Sequence, residues 1–436
     1  MLTFARRLRG AARWVVGDPQ APYYPGEEGP VEDAGPVAYA AFDAGRVHRP
    51  ALGAASALRV EVITRPEALP ALRAEYERLN QLRGNILPFA LHDWHVAWCT
   101  HFLSTHGAVR DEPRICAVRN GAGECVAVVP FVQTARSAYG VQVTSLGLLG
   151  ADQAITEIRT PLVAPGYESR VAGLVQRRLA AMGGWDWVHW CSHSENFMQA
   201  LAAGAALEPQ TLQHDYILDL PPSWEELRAG LKRNIRESLR HCYNSLKRDR
   251  HAFQFVVASE PQQVQAALER FLRLHALRAR QSSGVAHPDH FASGGSRAFL
   301  RDVCARLARR GVARVFELVI GDEVIASRIG FVVGGSLYLY YSGFDPLWGR
   351  YSVMTTVLAE SIKYAIAQGL KSVNLSTGAD VGKTRWGPRE VPIMQAMQVS
   401  PRLRSRMALT CFRRAADAGS LLPWLQPLLP AKRQWD

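Results

Sequence analysis

The 436-residue chain lacks most of the short signatures that assign a chemistry at once. Its seven cysteines, at 99, 116, 125, 191, 242, 304 and 411, form no C-x-x-C pair and no Cys/His cluster at metal-ligand spacing. A zinc ribbon is therefore excluded and no metal is expected. Scattered in apolar runs, these cysteines read as small buried hydrophobes in a reducing compartment, and none has a positioned partner for nucleophilic work. No stretch reaches the roughly 18 apolar residues of a membrane-spanning helix. No long apolar core with a small-residue cleavage site is seen near Met1, so a secretory signal is not expected.

A phosphate loop is also missing, although residues 374–387, NLSTGADVGKTRWG, come near one. Such a loop needs four residues between its first glycine and the Gly-Lys pair, followed by a long helix. Here only three residues separate Gly378 from Gly382, and Gly387, Pro388 and Pro392 interrupt the segment after Lys383. The stretch reads instead as the last main strand of the chain and the loop leaving it. Loops at the carboxyl ends of strands are favoured ligand positions in open α/β sheets.

The composition itself is globular, with 48% hydrophobic and 21% charged residues. Lys plus Arg is 51 and Asp plus Glu is 39, so 51 − 39 gives a net charge of +12. That excess suits a phosphate-bearing cofactor, a membrane surface or a nucleic acid without choosing among them.

The chain divides by pattern. Residues 1–16 place Arg6, Arg7, Arg9 and Arg13 among Leu2, Phe4, Leu8, Trp14 and Val15, the composition of a basic helix on an anionic membrane or of a frayed tail. Residues 17–57 are rich in Ala, Gly and Pro and read as a linker, which makes 1–57 an N-terminal arm. From Leu58 a strand, two helices, a hairpin about Gly121-Ala-Gly123, a strand, a helix and a strand succeed one another, filling 58–215. The second helix carries an aromatic face of Trp94, Trp98 and Phe102. Residues 251–400 repeat that order, with turns at Gly321-Asp322 and Gly334-Gly335. Two units of about 150 residues with one shared order predict a duplicated α/β module, a mixed sheet flanked by helices in each. Between them, 216–250 reads as a linking helix opened by a Ser223/Glu226 capping box. Its Lys232, Arg233, Arg236, Arg240, Lys247, Arg248 and Arg250 form either a solvated face or a cationic arm. No aromatics interleave with them, so nucleic acid is not the expected partner. Residues 401–436 form a basic tail.

Four segments together resemble one family. PFALHDWHVAWCTHF, FLRLHALRARQSSG, FDPLWGRYS and the terminal Lys383-x-x-Trp386 are similar, in order and spacing, to double-module GNAT-superfamily transferases of the cellulose-biosynthesis type, distantly related to Fem-type peptidyltransferases. The likeness spans about 58–400. Two departures stand out. Ser352-Val353-Met354 replaces the family's Ser-Pro-Gly, and Gly382 stands where relatives often carry Tyr.

The resemblance implies transfer of an acetyl or longer acyl group from acyl-CoA to an amine or hydroxyl of a small-molecule, glycan or lipid-precursor acceptor in the cytoplasm, with contact to a membrane as an option. It places Asp345, His275 and Tyr341 as catalytic candidates. Arg350, Tyr351, Ser352, Val353 and Tyr340 become cofactor candidates, at a helix start suited to a pyrophosphate. Arg278, Lys383, Arg385 and Trp386 fall on the acceptor side. Asp345 reads equally as a turn residue, His275 as a core histidine and Trp386 as packing. Tyr340 and Tyr341, being adjacent in a strand, are expected on opposite faces, so that at most one lines a cleft. Asp152 and Glu157 end the corresponding strand of the first module and are candidates for the cleft between modules. Two alternatives stand beside this reading: a Fem-type transferase using charged tRNA, and a non-catalytic binding protein of the same fold.

Overall fold

The computed structural model describes residues 57–417 apart from 105–106, 108, 139–140, 152–153, 211–212 and 282–286. The N-terminal arm, Asp152 and the end of the basic tail lie outside the described residues.

The first half runs β1 (Arg59–Ile63), α1 (Arg73–Leu82), α2 (His92–Phe102), β2 (Val109–Arg119), β3 (Cys125–Ala138), β4 (Val141–Leu148), the short β5 (Leu162–Val163), α3 (Glu168–Met182), β6 (Trp187–Ser192), α4 (Glu195–Gly204), the short β7 (Glu208–Pro209) and β8 (Gln213–Asp219). Two helices come next, α5 (Trp224–Gly230) and α6 (Arg233–Arg248). The second half runs β9 (Phe253–Ala258), α7 (Pro261–Ala279), α8 (Gly294–Arg309), β10 (Ala313–Ile320), β11 (Glu323–Val333), β12 (Ser336–Phe344), α9 (Val353–Ala367), β13 (Ser372–Thr377), α10 (Val381–Thr384), β14 (Arg389–Val399) and α11 (Leu403–Asp417).

One sheet runs through the molecule in the order β1-β2-β3-β4-β6-β14-β8-β13-β12-β11-β10-β9. Read from either end, it has the same plan. Four antiparallel strands lead to a parallel pair, β4 with β6 and β12 with β13, each bridged by one helix. A parallel pair needs such a crossover, and here α3 and α9 supply it. The fold is thus a mixed α/β sheet built from two copies of one module.

The strand that completes each copy comes from the other. β8, which ends the first half, pairs antiparallel with β13 of the second. β14, which ends the second half, pairs with β6 through Met394–Val399 and with β8 through Arg389–Ile393. NLSTGADVGKTRWG is therefore not followed by a mere exit loop, since a further 11-residue strand comes after it. Pro392 hides that strand in the sequence, because proline is rarely placed within a sheet.

Other corrections are local. The first of the two helices expected after the Leu58 strand opens as a 3₁₀ turn, Pro66–Leu72, which Pro70 holds out of α-helical bonding. The single linking helix is broken after Gly230, and α5 keeps the Ser223 cap, its Oγ accepting from Glu226 N. On α6, Ile235, Leu239, Cys242 and Leu246 are buried, while its cations face outward. Cys99, Cys116, Cys125, Cys191, Cys242 and Cys304 are buried. Burial pushes the Cys99 thiol up to about 12 and Cys116 to about 11, so neither is a ready nucleophile.

The aromatic face of α2 packs across the module boundary. Trp94 and Phe102 meet Phe299 of α8 at 5.3 and 4.9 Å between ring centroids. Beside them Asp93, almost fully buried, accepts from Arg73 at 2.7 and 3.0 Å and from Arg310 of the second half at 3.0 Å. Burial raises the Asp93 pKa, but the two guanidiniums outweigh it and hold the carboxyl below the usual range. Arg310→Ala is expected to lower the unfolding free energy by about 1–2 kcal/mol, a charged hydrogen bond discounted for the solvent exposure of the arginines. Urea unfolding checks this. A carboxyl with a depressed pKa stabilises above its ordinary pKa and loses that contribution as pH falls through the folded value, so the deficit should shrink in acid.

Candidate active site

The β12–α9–β13 unit sets the geometry. β12 and β13 pair only through Ser336–Ser372, Leu337–Val373 and Tyr338–Asn374. Beyond these residues the two strands diverge, and the start of α9 lies at the same end, as a crossover helix must. Strain gathers there. Of the three non-glycine residues with positive φ among those described, Ser352 (52°) precedes α9 and Ser376 (71°) is the penultimate residue of β13.

A bulge re-aims the tyrosines. Arg328 pairs with Ser342 and Gly330 with Leu339, so Tyr340 and Tyr341 together oppose the single residue Ile329. An extra residue abolishes strict alternation. Both tyrosines therefore face the first module, contrary to the expectation of opposite faces. Tyr340 Oη donates to Ile155 O and Tyr341 Oη to Ala154 O. Gly343 comes just after the bulge and lets α7 press against the strand, since a Cβ there would lie 2.3 Å from His275 N.

The segment 154–157, beyond the end of β4, thus crosses into the cleft of the second module. Glu157 lies at the point of divergence. Its carboxylate accepts from Tyr338 Oη at 2.6 Å and from Ser376 Oγ at 2.9 Å, one group from each splayed strand. Burial raises its pKa, while the Tyr338 hydrogen bond and the Lys383 charge oppose the rise. Asp215 on β8 joins it. Asp215 is fully buried and accepts from Asn374 Nδ2 at 2.7 Å, and its other oxygen has no partner among the described residues. Burial, reinforced by the Glu157 charge, pushes it up to about 7. The Glu157 charge thus acts on Asp215 across the site.

The sequence-predicted residues divide. Lys383 folds back onto the end of β13, its Nζ donating to Thr377 O at 2.5 Å. Asp380 caps α10 just before it, accepting from Lys383 N. Arg385 reaches the first turn of α9, donating to Thr355 Oγ1 at 2.9 Å. Arg278 donates to Ser342 Oγ at 2.9 Å and meets His287 Nε2 at 2.7 Å. His275 Nδ1 contacts Ser342 O at 3.0 Å, and its ring lies among Phe271, Phe291 and Tyr341. Burial lowers its pKa, which keeps it neutral. Asp345 caps the turn Pro346–Tyr351, accepting from Leu347 N at 3.0 Å.

Two residues are not presented as expected, and Trp386 takes the packing reading. Trp386 is 2% exposed and packs in the core beneath α9. Tyr351 is buried, its hydroxyl donating to Asp249 and accepting from the exposed Arg350, whose guanidinium lies over its ring. Val353 is buried too, so its side chain does not face a ligand there. Arg328 and Asp215 were not singled out by sequence, because neither carries a local motif.

The arrangement joins a helix start bearing Arg385, a bulged strand edge and a shielded carboxylate pair. Residues 233–384 match the protein-family model described as acetyltransferase (GNAT) domain. That segment, about a third of the chain, contains α6 to α10 and makes the protein an acyltransferase by class. No curated protein matches the chain. Among solved structures, it is similar to FemX, with 10% identity, a TM-score of 0.48, and coverage of 69% of this chain and 90% of that one. It is also similar to a tandem GNAT protein from the clavulanic acid biosynthesis pathway, with 11% identity, a TM-score of 0.40, and coverage of 79% and 100%. A GNAT-family acetyltransferase from Colwellia psychrerythraea gives 9%, 0.40, 78% and 100% in the same measures. These are distant likenesses.

A buried acid with a raised pKa favours the folded state while protonated and loses that contribution as pH rises from its ordinary value to the folded one. For Asp215 that window runs from about pH 4 to about 7. Asp215→Asn is therefore expected to flatten the pH dependence of thermal stability across that window. An unchanged profile would show that Asp215 titrates as it does in the unfolded chain.

Proposed function

We propose that the protein is an acyl-CoA-dependent N- or O-acyltransferase that transfers an acetyl or longer acyl group to a cell-envelope or polysaccharide-related acceptor. The acceptor class rests on the resemblance to cellulose-biosynthesis-type transferases. The observation that carries the reading is the overlap of the acetyltransferase domain match with the β12–α9–β13 unit.

The residues there fit the donor. The Arg385 Nε is buried with no partner, and no carboxylate lies within ion-pair distance of that guanidinium among the described residues. A cation held at the positive end of a helix dipole is repelled unless an anion joins them. α9 has no acidic residue in its first turn to do so. Donor phosphates would satisfy the helix N–H groups and Arg385 together. Coenzyme A, when bound, supplies the thioester-activated acyl group. The edge of β12 freed beyond Tyr338 offers backbone groups along the cleft. Glu157 is suited to take the acceptor's proton, since partial desolvation brings a carboxylate toward the basicity this role needs. Tyr338 and Ser376 hold its orientation.

The exposed cations of α6 support a second reading, transfer from charged tRNA. Salt-sensitive tRNA binding, lost on charge reversal at Arg236 and Arg240, would favour it over the first. No helix among the described residues is long and apolar enough to cross a membrane. The proposed membrane contact through residues 1–16 lies outside them, and the cytoplasmic assignment remains part of the proposal.

Calorimetric titration with acetyl-CoA and longer acyl-CoAs tests the donor. Binding is expected, weakened about tenfold or more in Arg385→Met, the loss of one charge-assisted contact. If no acyl-CoA binds, the reading fails. Glu157→Gln should leave acyl-CoA affinity intact while turnover drops roughly 10²–10⁴-fold, the usual worth of a proton-transfer group. Unchanged turnover would remove Glu157 from the chemistry.

A further inference from the structure

We propose that Arg278 and Arg328, converging on Ser342, form a second oxyanion subsite that holds a carboxylate or phosphate group of the acceptor. This inference rests on the acyltransferase reading and extends it by assigning charge to the acceptor.

The register brings the two cations together. Arg328 on β11 stands directly opposite Ser342 on β12, and side chains opposed across an antiparallel pair project from the same face. Arg278, from the last turn of α7, reaches the same residue and donates from Nη1 to Ser342 Oγ at 2.9 Å. The Arg328 side chain therefore leaves the face of the sheet on which Arg278 reaches Ser342, and the two guanidiniums act on each other electrostatically. Each has a buried Nε without a partner. Among the described residues no hydrogen bond or ion pair within 4 Å reaches the Arg328 guanidinium.

An unsatisfied buried donor is costly, and two neighbouring guanidiniums add repulsion. Burial lowers the pKa of Arg328 to about 10, with Arg278 as a further cause, and burial lowers that of Arg278 as well. The acids that face Arg328, Asp380 and Glu157, act on it only at longer range. Asp380 is exposed and caps α10, while both oxygens of Glu157 accept from Tyr338 and Ser376. Neither neutralises the pair. An oxyanion accepts from a guanidinium fork in two parallel bonds, and a group between the two arginines would satisfy both orphaned donors.

This pair is separate from the donor's cation. Arg385 contacts Ser238 of α6 and Thr355 of α9. Arg278 instead comes from α7 and pairs with His287 of the connection to α8. An acceptor held there has its anionic end fixed away from the helix start that takes the donor's phosphates.

The test is thermal unfolding of the full chain at constant ionic strength in sodium chloride, sodium acetate or sodium phosphate. It is run with Arg385→Met in the background, which disables the anion position at α9. Acetate or phosphate is expected to raise the midpoint above chloride on the order of 2–4 °C. Adding Arg328→Met or Arg278→Met should remove that rise. Should Arg328→Met fail to fold, the partly exposed Arg278 position carries the comparison alone. No rise over chloride with either anion, or a rise that survives substitution, overturns the subsite. A larger response to acetate or to phosphate tells which oxyanion the pair prefers, and either supports it. With Arg385 intact and coenzyme A saturating, the increment should persist. If coenzyme A abolishes it, the pair belongs to the donor and the acceptor assignment is overturned. Failure of coenzyme A to stabilise the chain at all would count against the donor reading alone, since the anion increment is read without it.

Discussion

The antiparallel pairing of β14 with β8 at the centre of the sheet is the constraint on which the rest depends. Each of these strands belongs by chain order to one module and completes the sheet of the other. Neither module can close its own sheet without exposing an edge or losing its partner's strand. The exchange fixes the two halves in one orientation, and with it the packing of α2 against α8 and the Arg73–Asp93–Arg310 cluster. It also carries Asp215 to Asn374, because β8 lies beside β13 only through the exchange.

That arrangement explains why acids of the first half sit in a cleft of the second. Glu157 and Asp215 are near neighbours in space but lie far apart in the chain, on a loop and a strand delivered from the far side of the pseudo-twofold. Burial alone would make such a pair expensive. Two hydroxyl donors, one amide donor and the charge of Lys383 offset part of that cost. The remainder appears as a raised pKa on each acid, which for Asp215 reaches about 7.

Much of the fold was legible in the sequence. The turns at Gly321-Asp322 and Gly334-Gly335 marked β10, β11 and β12. The shared order of elements revealed the duplication. β8 and β14 were not legible, because their signal lies in a remote partner and Pro392 argues against a strand locally. Of the site, Lys383, Arg385 and Arg278 could be read from a motif. The bulge at Tyr340-Tyr341 could not, since the sequence shows only two adjacent tyrosines and the slip exists only relative to β11. Arg328 was silent for the same reason: its meaning comes from standing opposite Ser342.

Duplication makes two clefts of one plan, and local charge separates them. α3 starts with Glu168 in its first turn, where a carboxylate already complements the helix dipole and repels a phosphate. α9 has no acid in its first turn and has Arg385 against it instead. The segment after β4 is also committed elsewhere, since its carbonyls at 154 and 155 accept from Tyr341 and Tyr340. The first module cannot wrap that segment around a ligand of its own while it closes the cleft of the second. Sequence divergence between the copies has thus turned one binding element into a wall, and the wall carries Glu157. On the proposed reading the α9 start alone takes the donor, and the exchanged strands keep the donated loop in register with it.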